Sequence, residues 1–313
     1  MKFTVVLGLA AAVLGISQVS VPALRAVRPA ASLVQPRSMA KSPAEVGRTS
    51  RNSRASAVSS KREPVTVLMR TGHWFVYPRG CETVRQRRDV VLLFHGAPTT
   101  VIPRFIASNL DAVLVVINKG IGSGPYSRAL ALASQVDGLL ARVQVAIADQ
   151  CDLEDATISR LALSSWSAGY GAIQQFLRKR PEHVDAVLLA DGLHVGFVDH
   201  KYRKVATQQL NEFSEFARQA SRGEKLMMIT HSAILPPEYA GAAETAMALS
   251  QAAHAPTWPV THHKHGMRQL TAARRGHFYA EGYAGNDKAA HARHLYSIGE
   301  TLFTRLREYW ERS

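Results

Sequence analysis

The sequence predicts an α/β protein with a mostly parallel, eight-stranded sheet covered by helices on both faces. Three observations predict it. From residue 65 onward, short apolar runs alternate with stretches of helical period, the rhythm of strands joined by crossover helices. Several runs are apolar throughout, such as DVVLLF at 89–94 and AVLVVI at 112–117, the pattern of strands buried on both faces. The chain is 46% hydrophobic and 20% charged, an ordinary globular balance. Its roughly 250 residues beyond an atypical N-terminus suffice for one domain with a full core. No internal repeat divides them.

Residues 1–23 read as a secretory signal. Lys2 gives a short positive start, 3–13 are nearly unbroken apolar sequence, and Val21-Pro22-Ala23 offers a cleavage site. The apolar run is shorter than the roughly 20 residues a bilayer-spanning helix needs. Export to a periplasm or to the medium is therefore expected, with an uncleaved N-terminal anchor as the alternative. Residues 24–64 are dominated by Ser, Ala, Pro and Arg, lack aromatics and keep no period, the composition of a disordered linker. Nine Lys and Arg stand there against Glu45 and Glu63, so the linker carries +7 of the chain's +14. Weak attraction to an anionic envelope surface fits that charge. No zinc-finger, helix-turn-helix or stacking motif points to nucleic acid.

In the domain, 65–313, residues 65–69 and 73–77 read as an opening antiparallel pair. Further strands are expected at 89–94, 112–117, 158–163, 186–190, 226–229 and 278–283. Residues 126–149 read as one Ala- and Leu-rich helix. Ala172, Ile173, Phe176 and Leu177 form the apolar stripe of another. Leu295, Ile298, Leu302, Leu306 and Trp310 give a closing helix with one buried face. Residues 195–223 hold one helix rather than a large cap, and 233–277 are expected to form a partial lid.

Chemistry centres on Ser165-Trp166-Ser167-Ala168-Gly169. A nucleophile on a loop is mobile, and one inside a strand is buried. A sharp strand-turn-helix bend presents a serine hydroxyl above the sheet edge, provided the residues two before and two after it are small. Ser165 and Gly169 meet that need, with Ser165 replacing the more usual glycine, and Gly171 relieves the first helical turn. The pentapeptide alone also fits a plain Ser/Gly turn. The apolar run before it and the helical stripe after it favour the nucleophile.

With these features the chain resembles an α/β-hydrolase over about residues 65–310. His95-Gly96 ends the strand at 89–94, as in the HG motif that lines an oxyanion hole. Asn118-Lys119-Gly120-Ile121-Gly122-Ser123 follows the next strand, where the family often has a glycine-rich loop; without a GK[ST] motif it is no phosphate cradle. The resemblance implies backbone oxyanion donors at Ala97 and Ala168. It also implies a histidine after the last strand. His291 fits that position, His277 lies at the wrong end of the sheet, and His294 falls a turn into the helix. For the acid, the resemblance points to the end of the strand at 226–229, where Thr230-His231-Ser232 supplies no carboxylate. Asp191, at the end of the preceding strand, is the choice. Glu244 and Glu238 are the alternatives, and Asp191 also fits a plain loop-capping role. His194, Trp166, His231 and Tyr239 are candidate pocket residues.

His262, His263 and His265 resemble a metal tract but lack a carboxylate or Cys at ligand spacing, so a surface loop is expected. In the family's strand order Cys81 and Cys151 both fall at the amino-terminal sheet edge, which implies a Cys81–Cys151 disulfide remote from the catalytic loops. The expectation is an exported, esterase-like serine hydrolase acting on a small-molecule acyl substrate through an acyl-enzyme, with no metal or organic cofactor. Peptidase, lipase and thioesterase specificities use the same machinery. A catalytically inactive binding or envelope-associated protein on the same fold is the alternative from another class.

Overall fold

A computed structural model describes residues 64–312 apart from 79 and 82–85. The expected signal, 1–23, and nearly all of the expected linker, 24–64, lie outside the described residues. In chain order the elements are β1 (Val65–Leu68), β2 (Trp74–Tyr77), β3 (Arg87–Phe94), α1 (Pro98–Ala107), β4 (Val113–Ile117), α2 (Ser123–Ala129) and α3 (Ala133–Gln150). There follow β5 (Thr157–Trp166), α4 (Tyr170–Lys179), β6 (Ala186–Ala190), the short pair β7 (Phe197–Asp199) and β8 (Lys204–Val205), and α5 (Asn211–Ser221). The chain continues through β9 (Leu226–His231), α6 (Ala242–Ala252), β10 (Thr257–Lys264), β11 (Met267–Arg275) and β12 (Phe278–Tyr283). It closes with α7 (Lys288–Tyr296) and α8 (Thr304–Trp310), joined by a π-helical turn.

The main sheet has the order β1-β2-β4-β3-β5-β6-β9-β12-β11-β10. From β4 to β12 all neighbours run parallel, and antiparallel strands close both ends. The continuous apolar runs have the expected cause: successive residues serve two cores. Val90, Leu92 and Phe94 of β3 join Leu163, Val187 and Ile229 under α3, α4 and α5. Val91 and Leu93 join Leu188 and Met228 on the other face, under α1, α7 and α8. Leu295, Ile298, Leu302, Leu306 and Trp310 are all buried there.

The eight expected strands are β1–β6, β9 and β12, but the sheet has ten. The two additional strands are the β10–β11 hairpin, in the segment read as a partial lid and a His-rich surface loop. His262 and His263 lie on β10, and His265 sits in its two-residue turn. His265 has φ 53° and Gly266 φ 70°, the paired left-handed conformation that suits a tight hairpin. Most of β10 is exposed, so no apolar alternation announces it. The helix expected at 126–149 is two, α2 and α3, meeting at 86°. The break occurs where Leu132 is extended and the Gln135 side chain accepts its N–H at 3.0 Å. Among the described residues no single helix is long and apolar enough to cross a membrane. Cys81 and Cys151 form a disulfide, with Cα atoms 5.0 Å apart. They precede β3 and β5, at the sheet edge away from Ser167.

Candidate active site

β5 ends at Trp166, and α4 starts at Tyr170, so the chain reverses within three residues. Ser167 takes φ 50°, a left-handed conformation that costs a non-glycine residue about 1 kcal/mol or more. The bend needs close backbone approach. A Cβ at Gly169 would lie 2.1 Å from the Phe94 carbonyl oxygen, one at Gly171 2.5 Å from that of Ser123, and one at Gly192 2.4 Å from that of Ser167. Ser165, where the motif more often has glycine, is fully buried between Phe94 of β3 and Leu189 of β6. Its hydroxyl has no hydrogen-bond partner among the described residues.

Asp191 directly follows β6, with φ 42°. Its Oδ1 accepts the Ser232 N–H at 2.7 Å, and its Oδ2 lies 2.7 Å from Nδ1 of His291. The carboxyl is 3% exposed. Burial pushes its pKa up, but the hydrogen bond to His291, the neighbouring His294 and the Ser232 N–H outweigh this and hold it at about 2. An ionised carboxylate only accepts, so His291 carries its proton on Nδ1 and its Nε2 is left with a lone pair. His291 lies in the first turn of α7, which Asp287 caps by accepting the Ala290 N–H at 2.7 Å.

Ser167, Asp191 and His291 line one cavity of about 190 Å³, together with His194, Tyr239 and the bend from Ser232 to Ala242. A second, more open groove of about 510 Å³ meets it at Ser167 and is lined by Ala168, His95, Gly122, Ser123, Tyr170 and Gln209. His194 packs against both Tyr170 and Tyr239, with ring centroids 5.7 and 5.0 Å away. Of the expected pocket residues, His194 and Tyr239 line the cavity. Trp166 lies against His291, and His231 turns aside to bond the Ser232 carbonyl at 2.9 Å.

The remaining candidates separate from this cluster. Glu244 is bound to Arg203 at 2.7 Å and accepts the Gly241 N–H at 2.8 Å, which caps α6. Glu238 lies on the exposed rim of the same bend. His277 packs on Tyr309, beyond the amino end of β12. His294 is buried, 3.0 Å from the Thr230 hydroxyl, and burial lowers its pKa to about 4.

Ala97 immediately precedes α1, and Ala168 immediately follows Ser167. Asn118, which opens the glycine-rich loop, makes a contact that the sequence does not reveal. Asn118 clamps Gly96 from both sides, accepting its N–H at 3.0 Å and donating to its carbonyl at 2.9 Å. That fixes the backbone from which the Ala97 N–H projects. Asn118 is 22 residues from Gly96 in sequence, so only the pairing of β3 with β4 reveals the contact.

The parallel sheet order, the bend at Ser167 and the Asp191–His291 pair beyond the carboxyl ends of β6 and β12 form the arrangement of an α/β-hydrolase fold. No family model matches the sequence, and no curated protein matches it. Solved structures do resemble it. A siderophore hydrolase, EstB, from Aspergillus nidulans is 16% identical, with a TM-score of 0.43 over 80% of this chain and 95% of its own. An S-formylglutathione hydrolase from Agrobacterium tumefaciens is 13% identical, with a TM-score of 0.43 over 80% and 94%. An IroE-like serine hydrolase from Shewanella oneidensis is 13% identical, with a TM-score of 0.44 over 79% and 80%.

Proposed function

We propose that the protein is a serine hydrolase of esterase type, working through an acyl-enzyme on Ser167. The single observation that carries this reading is the hydrogen bond of Asp191 with His291, in the same cavity as a serine held in a left-handed bend. In the first step Ser167 Oγ attacks the substrate carbonyl carbon while His291 Nε2 takes the hydroxyl proton. The carbonyl oxygen becomes an oxyanion facing the N–H groups of Ala168 and Ala97. The tetrahedral adduct collapses, the ester C–O bond breaks, and His291 returns the proton to the departing alkoxide. Water then attacks the acyl-enzyme by the same route and releases the acid. Asp191 keeps Nδ1 protonated and stabilises the imidazolium. Each oxyanion donor lowers the barrier by about 3 kcal/mol in comparable enzymes.

The two cavities that meet at Ser167 fit a small acyl ester, with its leaving group on the His291 side. Export is part of the same reading, and the Cys81–Cys151 bridge supports it because such bonds persist in oxidising compartments. Labelling with a fluorophosphonate probe, followed by a p-nitrophenyl ester chain-length series, tests the proposal. Wild type is expected to label and to turn over the short esters, and Ser167→Ala to do neither.

A further inference from the structure

The search pattern for a nucleophile bend leaves the residue before the serine free, and here it is Trp166. This side chain lines neither cavity at Ser167. Its indole instead stacks on the ring of His291, with centroids 4.7 Å apart and planes inclined by 28°. The indole Nε1–H also donates to the main-chain carbonyl of His291 at 3.1 Å. His291 is therefore held at three points: Nδ1 by Asp191, its carbonyl by the indole N–H, and its ring by the indole plane.

A second imidazole shares the indole. His95 stacks on it at 5.3 Å and 9°, and its Nδ1 lies 2.9 Å from the Tyr126 hydroxyl. That hydroxyl accepts the Lys119 N–H at 3.1 Å and donates to the Gly120 carbonyl at 3.3 Å. Burial and the neighbouring His291 both disfavour a charge on His95. The indole thus carries the ring of His95, whose charge burial disfavours, and the ring of His291, which becomes cationic whenever the Ser167 proton is transferred. A π face attracts an imidazolium more strongly than a neutral imidazole.

We propose that Trp166 is a positioning residue for His291, which it orients through the carbonyl bond and favours in the protonated state through the stack. The proposal rests on the hydrolase reading above. Trp166→Leu removes both contacts, whereas Trp166→Phe keeps a stacking face and loses only the N–H. With p-nitrophenyl acetate, kcat is expected to fall about thirtyfold in Trp166→Leu with KM within about twofold, and Trp166→Phe to restore most of the loss. In a His291→Ala background the Leu substitution is expected to add no further loss. A rise confined to KM, no recovery in the Phe variant, or losses that multiply would each overturn the proposal.

A second readout needs no turnover. The emission difference between wild type and Trp166→Phe reports this one indole, and a stacked imidazole quenches it once acid protonates the ring. His291→Ala is expected to weaken the loss of that difference signal on acidification. An unchanged loss would show that the indole and imidazole do not touch, whatever the enzyme hydrolyses. Absence of Ser167-dependent labelling alongside a weakened loss would sink the hydrolase reading and, with it, a positioning role, while leaving the contact itself established. Should the Leu variant fail to fold, the Phe variant and the fluorescence arm decide the matter.

Discussion

Asp191 accepts two donors at 2.7 Å while only 3% exposed, and these donors decide its charge against the cost of burial. Its pKa of about 2 lies below the unfolded value of roughly 3.9. The sign follows: the ionised carboxylate contributes stability above about pH 4, and this is lost as pH falls towards 2. Asp191→Asn keeps the shape but favours the wrong imidazole tautomer. It is expected to lower kcat for a p-nitrophenyl ester by about 10⁴-fold, with the melting transition still cooperative. A loss under tenfold would remove Asp191 from the triad and leave it as a loop cap. The residue was legible because it ends an apolar strand and is followed by Gly192. Its Ser232 donor was not, since that contact joins residues 41 apart across two strand ends. Ser165 shows the reverse. Its departure from the common motif weakens the sequence signal, yet the buried side chain fits between β3 and β6.

At the scale of elements, the bend from β5 to α4 depends on Gly169 lying against β3. A methyl group there would meet the Phe94 carbonyl oxygen at 2.1 Å, and a backbone atom cannot swing aside. Gly169→Ala is expected to cost about 3 kcal/mol or more in denaturant melts and to slow fluorophosphonate labelling sharply. Gly266→Ala tests a milder constraint. Its Cβ meets open space, so only the left-handed φ of 70° opposes it, and about 1 kcal/mol is expected. The strands buried on both faces were legible because their unbroken apolar runs admit no other placement. The β10–β11 hairpin was not: β10 is an edge strand with little to bury, and His265-Gly266 is not among the common hairpin pairs. The α2–α3 break was hidden because Leu130, the residue that follows α2, is buried within it, which preserves an apolar pattern across the bend.

Across the whole molecule, two features link stability to conditions without touching Ser167. The Cys81–Cys151 bridge closes a separation of 70 residues at the amino-terminal sheet edge. Replacing both cysteines by alanine is expected to remove about 4 kcal/mol of stability while leaving labelling at room temperature intact. Buried histidines set the acid limit. His73 and His294 are held at about pKa 4, burial being the main cause, against 6.5 for the free side chain. The unfolded chain therefore binds protons that the folded one refuses, and stability falls as pH drops from 6.5 towards 4. The loss is on the order of 3 kcal/mol per histidine. Urea midpoints measured across that range should drop steeply in wild type and less steeply in His294→Asn. The fold itself holds Ser167, His291 and Asp191 on three separate connections at one edge of the sheet, and the central claim is that they form one hydrolytic unit. Fluorophosphonate labelling of the intact protein, read by mass spectrometry of the Ser167 peptide, tests this most directly. The account predicts a single adduct on Ser167 that disappears in Ser167→Ala and forms far more slowly in His291→Ala. Unlabelled wild type, or an adduct that persists in Ser167→Ala, would contradict it.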